Sequence, residues 1–182
     1  MTFHELVNRR YSVRKYSEAP VEIEKIEACA EAARNAPSAC NSQPWRFVVA
    51  NEPDLIRRLA PLTTTTGVPI NSFVREAPVI VAVVTERPNL SSRLGAQVKR
   101  TPFHLIDVGI AAEHFCLCAT ELGLGTCMLG WFNKKAVKEL LHIPSRKELP
   151  LLITVGYPLT DEIPSKNRKP LGEILDIGAY RS

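Results

Sequence analysis

Hydrophobic positions along this chain recur at helical spacing in some stretches and run unbroken in others, and the switches between the two mark its elements. Thr2-Phe3-His4-Glu5 has the form of a capping box, so a first helix starts there and runs to about Arg9. After Pro20, Ile23, Ile26, Ala30 and Ala33 share one helical face in VEIEKIEACAEAARNA, a helix that stops before Pro37. Arg46–Ala50 reads as a short strand, and Glu52-Pro53-Asp54 opens a third helix toward Leu62. Thr63 to Arg75, with four consecutive threonines and Gly67, reads as a loop. Ala77–Thr85 is a continuous β-branched run, the pattern of a strand buried on both faces. Residues 86–102 are polar and irregular, a candidate mobile loop. The longest helix spans about Phe103 to Leu122, apolar on most sides, and Gly123 ends it. Thr126–Trp131 is a strand, Asn133 caps a helix through Leu141, and Leu149–Tyr157 is a last strand. Helices and strands alternate without a regular βαβ repeat, which favours an α+β layered fold in one domain over residues 1–182. Neither GxGxxG nor a P-loop is present.

Composition narrows the class further. A hydrophobic content of 45% and a charged content of 23% are ordinary for a globular protein. No signal-peptide pattern opens the chain, and no apolar run reaches the roughly 18 residues that span a bilayer. A cytoplasmic protein is the expectation. The net charge of +4 suits an anionic ligand without implying nucleic acid. The five cysteines (Cys29, Cys40, Cys116, Cys118, Cys127) form no CxxC pair, so neither a metal site nor a disulfide framework is expected. His104 and His114 read as loop or packed helix residues.

Four segments carry candidate chemistry. Arg9, Arg10, Arg14 and Lys15 crowd the end of the first helix with Ser12 among them; they either complement the helix dipole or cradle a phosphate. Lys166, Arg168 and Lys169 make a second cluster, either a solvated tail or the other half of that cradle. Between them, Ala36-Pro37-Ser38-Ala39-Cys40-Asn41-Ser42-Gln43-Pro44-Trp45 is a stiff loop whose amides can pair with the edge of a heterocycle. Thr126-Cys127-Met128-Leu129-Gly130-Trp131 runs into a glycine at a strand end, where a bulge or a closely approaching ligand is found.

Together these segments resemble the FMN-dependent nitroreductase family, in order and spacing over nearly the whole chain. Arg9–Tyr16 is similar to its N-terminal flavin motif, Pro37–Trp45 to its most recognisable loop, Gly123–Gly130 to the strand passing the flavin, and Lys166-Asn167-Arg168 to its C-terminal phosphate clamp. The resemblance implies a central, mostly antiparallel sheet flanked by helices, and an intertwined homodimer with FMN at the interface. Arg10, Ser12, Lys166 and Arg168 would hold the phosphate, beside Tyr11; Arg14 would lie near the pyrimidine edge, with Asn71 roughly placed there. Pro37, Ser38, Ala39 and Asn41 would reach the flavin from the other subunit, and Met128, Leu129 and Gly130 would pass its N5. One departure stands out: Phe73 occupies a position where longer members carry lysine. The chain is also short for the family, which implies a reduced helical insertion over the substrate site and a lid from residues 63–76 and 86–102. The implied activity is ping-pong hydride transfer from NADH or NADPH through the flavin to a nitroaromatic, quinone or similar small acceptor. Reductive dehalogenation, enone reduction, flavin consumption and non-catalytic flavin binding are alternatives on the same fold. A basic nucleic-acid-binding module is the rival from another class.

Overall fold

The computed structural model describes residues 1–64 and 70–180. The middle of the expected Thr63–Arg75 loop, residues 65–69, lies outside the described residues. In chain order the elements are α1 (Phe3–Arg9), α2 (Ile23–Arg34), β1 (Trp45–Ala50), α3 (Pro53–Leu59), β2 (Val79–Thr85), α4 (Leu90–Lys99), α5 (Phe103–Glu121), β3 (Gly125–Leu129), α6 (Lys134–Leu140) and β4 (Glu148–Gly156). The strands form one sheet in the order β1-β2-β4-β3, and every strand pair is antiparallel.

Strand alternation divides the core into two halves. Val79, Val81 and Val83 of β2 face α2 and α5, where Ile26, Ala33, Val108, Ala111 and Phe115 meet them. Ile80, Ala82 and Val84 point the other way, onto Ile56 and Leu59 of α3 and Val137 of α6. β2 is therefore covered on both faces, as its unbroken apolar run requires. Phe47 of β1 stacks on Phe115 of α5 with ring centroids 5.5 Å apart, fixing the helix over the sheet.

Two expectations need correction. Residues 86–102 are not an irregular loop: they hold α4, whose N-cap Asn89 accepts from the Ser92 backbone N–H. Leu90, Leu94 and Val98 supply the i, i+4, i+8 repeat within a polar composition. The absence of a membrane-length apolar stretch also fails as a rule for helices, since α5 is long and apolar enough to cross a bilayer by length and composition. Its position explains that composition. One side, from Asp107 to Thr120, is packed on the sheet and α2, while Leu105 and Ile106 stay exposed.

One close approach fixes the N-terminal segment. Gly125 and Gly156 are cross-strand partners at the end of β3 and β4. A Cβ on Gly125 would lie 2.4 Å from Val13 Cγ2, and one on Gly156 would lie 2.6 Å from Pro78 Cδ and 2.8 Å from Tyr16 Cδ1. Residues 11–16 thus cross the sheet where both partners lack a side chain. Gly156→Ala forces the buried Tyr16 ring or Pro78 to shift, an overpacking change expected to destabilise by about 1–3 kcal/mol. Thermal unfolding should show the lowered midpoint, and an unchanged midpoint would refute the close contact.

Candidate functional site

The basic N-terminal motif is shaped by backbone pairing. At Arg10 the chain leaves α1 in an extended conformation (φ −62°, ψ 123°). The Val13 N–H donates to the Thr126 carbonyl at 2.9 Å, and Ser12 bridges Thr126 in parallel. Val13 points inward and is buried, so alternation turns Arg10, Ser12 and Arg14 to the other side. The buried Tyr16 hydroxyl donates to the Val13 carbonyl at 2.9 Å and lies 2.7 Å from Thr154 Oγ1. Burial pushes this phenol above the ordinary tyrosine range and keeps it protonated, so it holds the segment without adding charge.

The tail returns to the same place. The Leu159 N–H donates to the Lys15 carbonyl at 3.0 Å, and Lys166 Nζ donates to the Val7 carbonyl in the last turn of α1 at 2.5 Å. Burial holds the Lys166 ammonium below the ordinary lysine range, and the nearby positive charges of Arg10 and Arg168 add to the effect. Only Glu113 opposes it, and Glu113 also pairs with Arg10 at 3.5 Å. Three cations thus converge with one carboxylate among them, an arrangement that an added anion relieves. Tyr11, Ser12, Arg14, Leu159 and Ile163 line an open groove of about 420 Å³ beside this cluster.

Arg14 connects the groove to an apolar neighbour. Arg14 lies over the Phe73 ring, 5.9 Å from its centroid. Phe73 therefore replaces an expected lysine with a surface that seats Arg14. Asn71, in the left-handed region at φ 61°, donates from Nδ2 to the carbonyls of Thr63 (3.1 Å) and Trp131 (3.0 Å). Its amide hydrogens tie the 70–76 segment to the chain just beyond β3. On β3, Leu129 is buried in the core, whereas Met128 and Gly130 are exposed.

The Pro37–Trp45 loop is built differently. Cys40, Asn41 and Gln43 all have positive φ (52°, 51° and 46°). Such non-glycine conformations cost roughly 1–2 kcal/mol each, less for asparagine, and persist where neighbours enforce them. Here Ser38 Oγ accepts the Gln43 N–H at 2.9 Å, and Gln43 Nε2 donates to Asn41 Oδ1 at 3.0 Å. From α5, Asp107 Oδ1 accepts the Ala39 N–H at 3.0 Å. Ahead of α4, Asn89 Nδ2 donates to the Cys40 carbonyl at 2.8 Å and its N–H donates to Ser42 Oγ at 2.9 Å. Asp107 and Asn89 are positioning residues that the sequence reading missed. Asp107 was detectable as a lone acid on the apolar side of α5, and Asn89 as a cap ahead of Leu90.

Within one chain, then, Arg10, Lys166, Arg168 and Glu113 make one charged cluster, and Ser12 and Arg14 line the groove beside it, with Arg14 leading to Phe73. Pro37, Ser38, Ala39 and Asn41 line neither the groove nor the smaller cavity next to it.

This is an α+β protein with a basic cradle crossing the end of its sheet. The Nitroreductase family profile matches residues 7–67 and 64–157, and the chain belongs to that family. An Archaeoglobus fulgidus protein with the provisional name NADH dehydrogenase/NAD(P)H nitroreductase is 30% identical over 84% of this chain and 83% of its own length. Iodotyrosine deiodinase 1 of Sus scrofa is 28% identical, covering 95% of this chain and 67% of that protein. The crystal structure of a BluB-like flavoprotein from Clostridium difficile superposes with a TM-score of 0.79 at 27% identity, over 97% of this chain and 99% of that one.

Asp107→Ala removes the acceptor for the Ala39 N–H, whereas Asp107→Asn keeps one. Hydrogen exchange across residues 36–44 of the protein without added ligand should accelerate about tenfold in the alanine variant, the loss of one hydrogen bond to a charged group. The asparagine variant should stay near the parent. Equal exchange in all three would show that Asp107 does not hold the loop.

Proposed function

We propose that this chain is an FMN-dependent oxidoreductase that passes hydride equivalents from NADH or NADPH to a nitroaromatic, quinone or similar small acceptor. The observation that carries this reading is the clustering of Arg10, Lys166 and Arg168 beside the groove that Ser12 and Arg14 line, with Lys166 depressed by burial and by its cationic neighbours. A phosphate dianion fits that donor set, because guanidinium forks and an ammonium bind it through charge-assisted hydrogen bonds. Ser12 would add a hydroxyl donor and Tyr11 a wall.

The ring end fits a flavin as well. Arg14, seated on Phe73, supplies positive charge there, and Asn71 Oδ1 and the backbone from Met128 to Gly130 offer polar groups beside an apolar surface. When bound, FMN supplies the hydride chemistry at N5, so this chain needs no general acid or base. Its residues bind the phosphate, orient the ring and place charge at the pyrimidine edge.

The whole chain, residues 1–182, acts as one FMN-binding domain, and two copies complete each site. In support of a homodimer, the tail keeps Leu171, Ile174, Leu175, Ile177 and Tyr180 exposed on its own chain, and α5 exposes Leu105 and Ile106. Pro37, Ser38, Ala39 and Asn41 would then approach the flavin of the other copy, which accounts for their absence from the groove of their own. Cytoplasmic function accords with the NAD(P)H requirement. The deiodinase relative favours one second reading, reductive dehalogenation at the same site, and an acceptor screen that includes halophenols separates the two.

Purified protein should carry or take up a yellow chromophore that NADH or NADPH bleaches anaerobically; failure to bind FMN would end this reading. Arg168→Ala and Lys166→Met should each weaken FMN binding about tenfold, the low end for a partly exposed charge-assisted bond. Riboflavin, which lacks the phosphate, should bind both variants as it binds the parent. Parallel losses for the two flavins would place these residues away from the phosphate.

A further inference from the structure

A second cavity, of about 290 Å³, lies between α4, the segment ahead of it and the start of α5. Arg87, Arg93, Leu90, Leu94, Gln97 and His104 are among the residues lining it. Asn89, between Pro88 and Leu90 of its lining, ties this region to the Pro37–Trp45 loop, since its side chain both caps α4 and holds the Cys40 carbonyl. In the reading above Ser38 and Asn41 approach the flavin, and this cavity borders the loop that carries them.

Its charge is one-sided. Residues 86–102 contain Arg87, Arg93, Lys99 and Arg100 against a single acid, Glu86. Glu86 is already engaged, by Lys147 and by Arg46 at 3.4 Å. His104, which lines the cavity, faces the carboxylate of Glu148 at 3.2 Å. Among the described residues, neither Arg87 nor Arg93 has a carboxylate partner. Two guanidiniums without a carboxylate partner therefore share this cavity with the apolar side chains of Leu90 and Leu94, both more than half exposed. A neutral acceptor would use the leucines and leave the guanidiniums idle. An aromatic or conjugated acid uses both, its ring on the leucines and its carboxylate or phenolate on an arginine fork.

We propose that the acceptor of this enzyme is an anionic aromatic or conjugated compound, bound by Arg87 and Arg93 beneath α4. The proposal rests on the FMN-dependent reading above and names the substrate class of that site.

The test uses the holoprotein and a matched pair of acceptors, 4-nitrobenzoate and 4-nitrobenzamide, which differ in charge and little in shape. The kcat/KM with saturating NADH or NADPH should favour the benzoate by about tenfold, the worth of one partly exposed charge-assisted contact. The preference should shrink on going from 50 to 500 mM salt, because the cations face solvent. Arg87→Gln and Arg93→Gln should each reduce it several-fold, and the double variant should abolish it by acting on KM for the benzoate while leaving the benzamide unchanged. Dissociation constants of benzoate and benzamide, read from perturbation of the bound flavin spectrum, should show the same ratio without turnover. Equal use of both acceptors by the parent, or a preference that survives the double variant, overturns the proposal. Neither outcome bears on FMN binding, which the yellow chromophore reports separately.

Discussion

The crossing of residues 11–16 over the paired glycines at the end of β3 and β4 is the contact on which the site depends. Gly125 and Gly156 face each other across two strands, and the space their missing side chains leave is filled by Val13 and Tyr16. Because Val13 is held inward there, strict alternation turns Arg10, Ser12 and Arg14 outward. The tail then anchors on the same segment, through Leu159 on Lys15 and Lys166 on Val7. A cradle assembled from the two ends of the chain thus rests on backbone packed at one place in the sheet.

The cradle also stores repulsion. Lys166 sits near Arg10 and Arg168 with its ammonium disfavoured by burial and by both neighbours. In a lysine, a depressed folded value means that the unfolded chain binds more protons between the folded and unfolded values, so stability rises with pH across that window. Below that window the clustering of cations weighs against folding, and a bound phosphate would reverse the balance. The Lys166 bond to the Val7 carbonyl, in the last turn of α1, is also what the dipole-complementing reading calls for, so the comparison of FMN with riboflavin is what separates that reading from a phosphate cradle.

The elements most legible in the sequence were those whose burial pattern is decided by a single partner. β2, apolar without a break, and α2, with its periodic face, appear within a few residues of where hydrophobicity placed them. α4 was not legible as a helix, because Arg87, Arg93, Lys99 and Arg100 mask the Leu90, Leu94, Val98 repeat and its stability comes partly from Asn89. The basic residues at both ends could be identified as candidate phosphate ligands, but their convergence depends on the glycine crossing, a tertiary contact with no local signature. Asp107 escaped for a related reason. An acid in an apolar helix states that something polar lies nearby, and only the fold shows that it is the Ala39 N–H.

The strained loop and α4 are best understood as one unit. Cys40, Asn41 and Gln43 hold left-handed conformations that the free peptide would leave, and they are kept by Asp107 on one side and Asn89 on the other. Asn89 spends its amide on Cys40 and its carbonyl oxygen on the first turn of α4. Fraying of α4 therefore releases a restraint on the loop, and relaxation of the loop withdraws the cap from α4. Covering the acceptor and touching the flavin would then be coupled through a single side chain, so that a ligand drawing Arg93 and Leu94 inward would also tighten Ser38–Asn41. Acceptor binding and flavin positioning need not be separate events in such an arrangement.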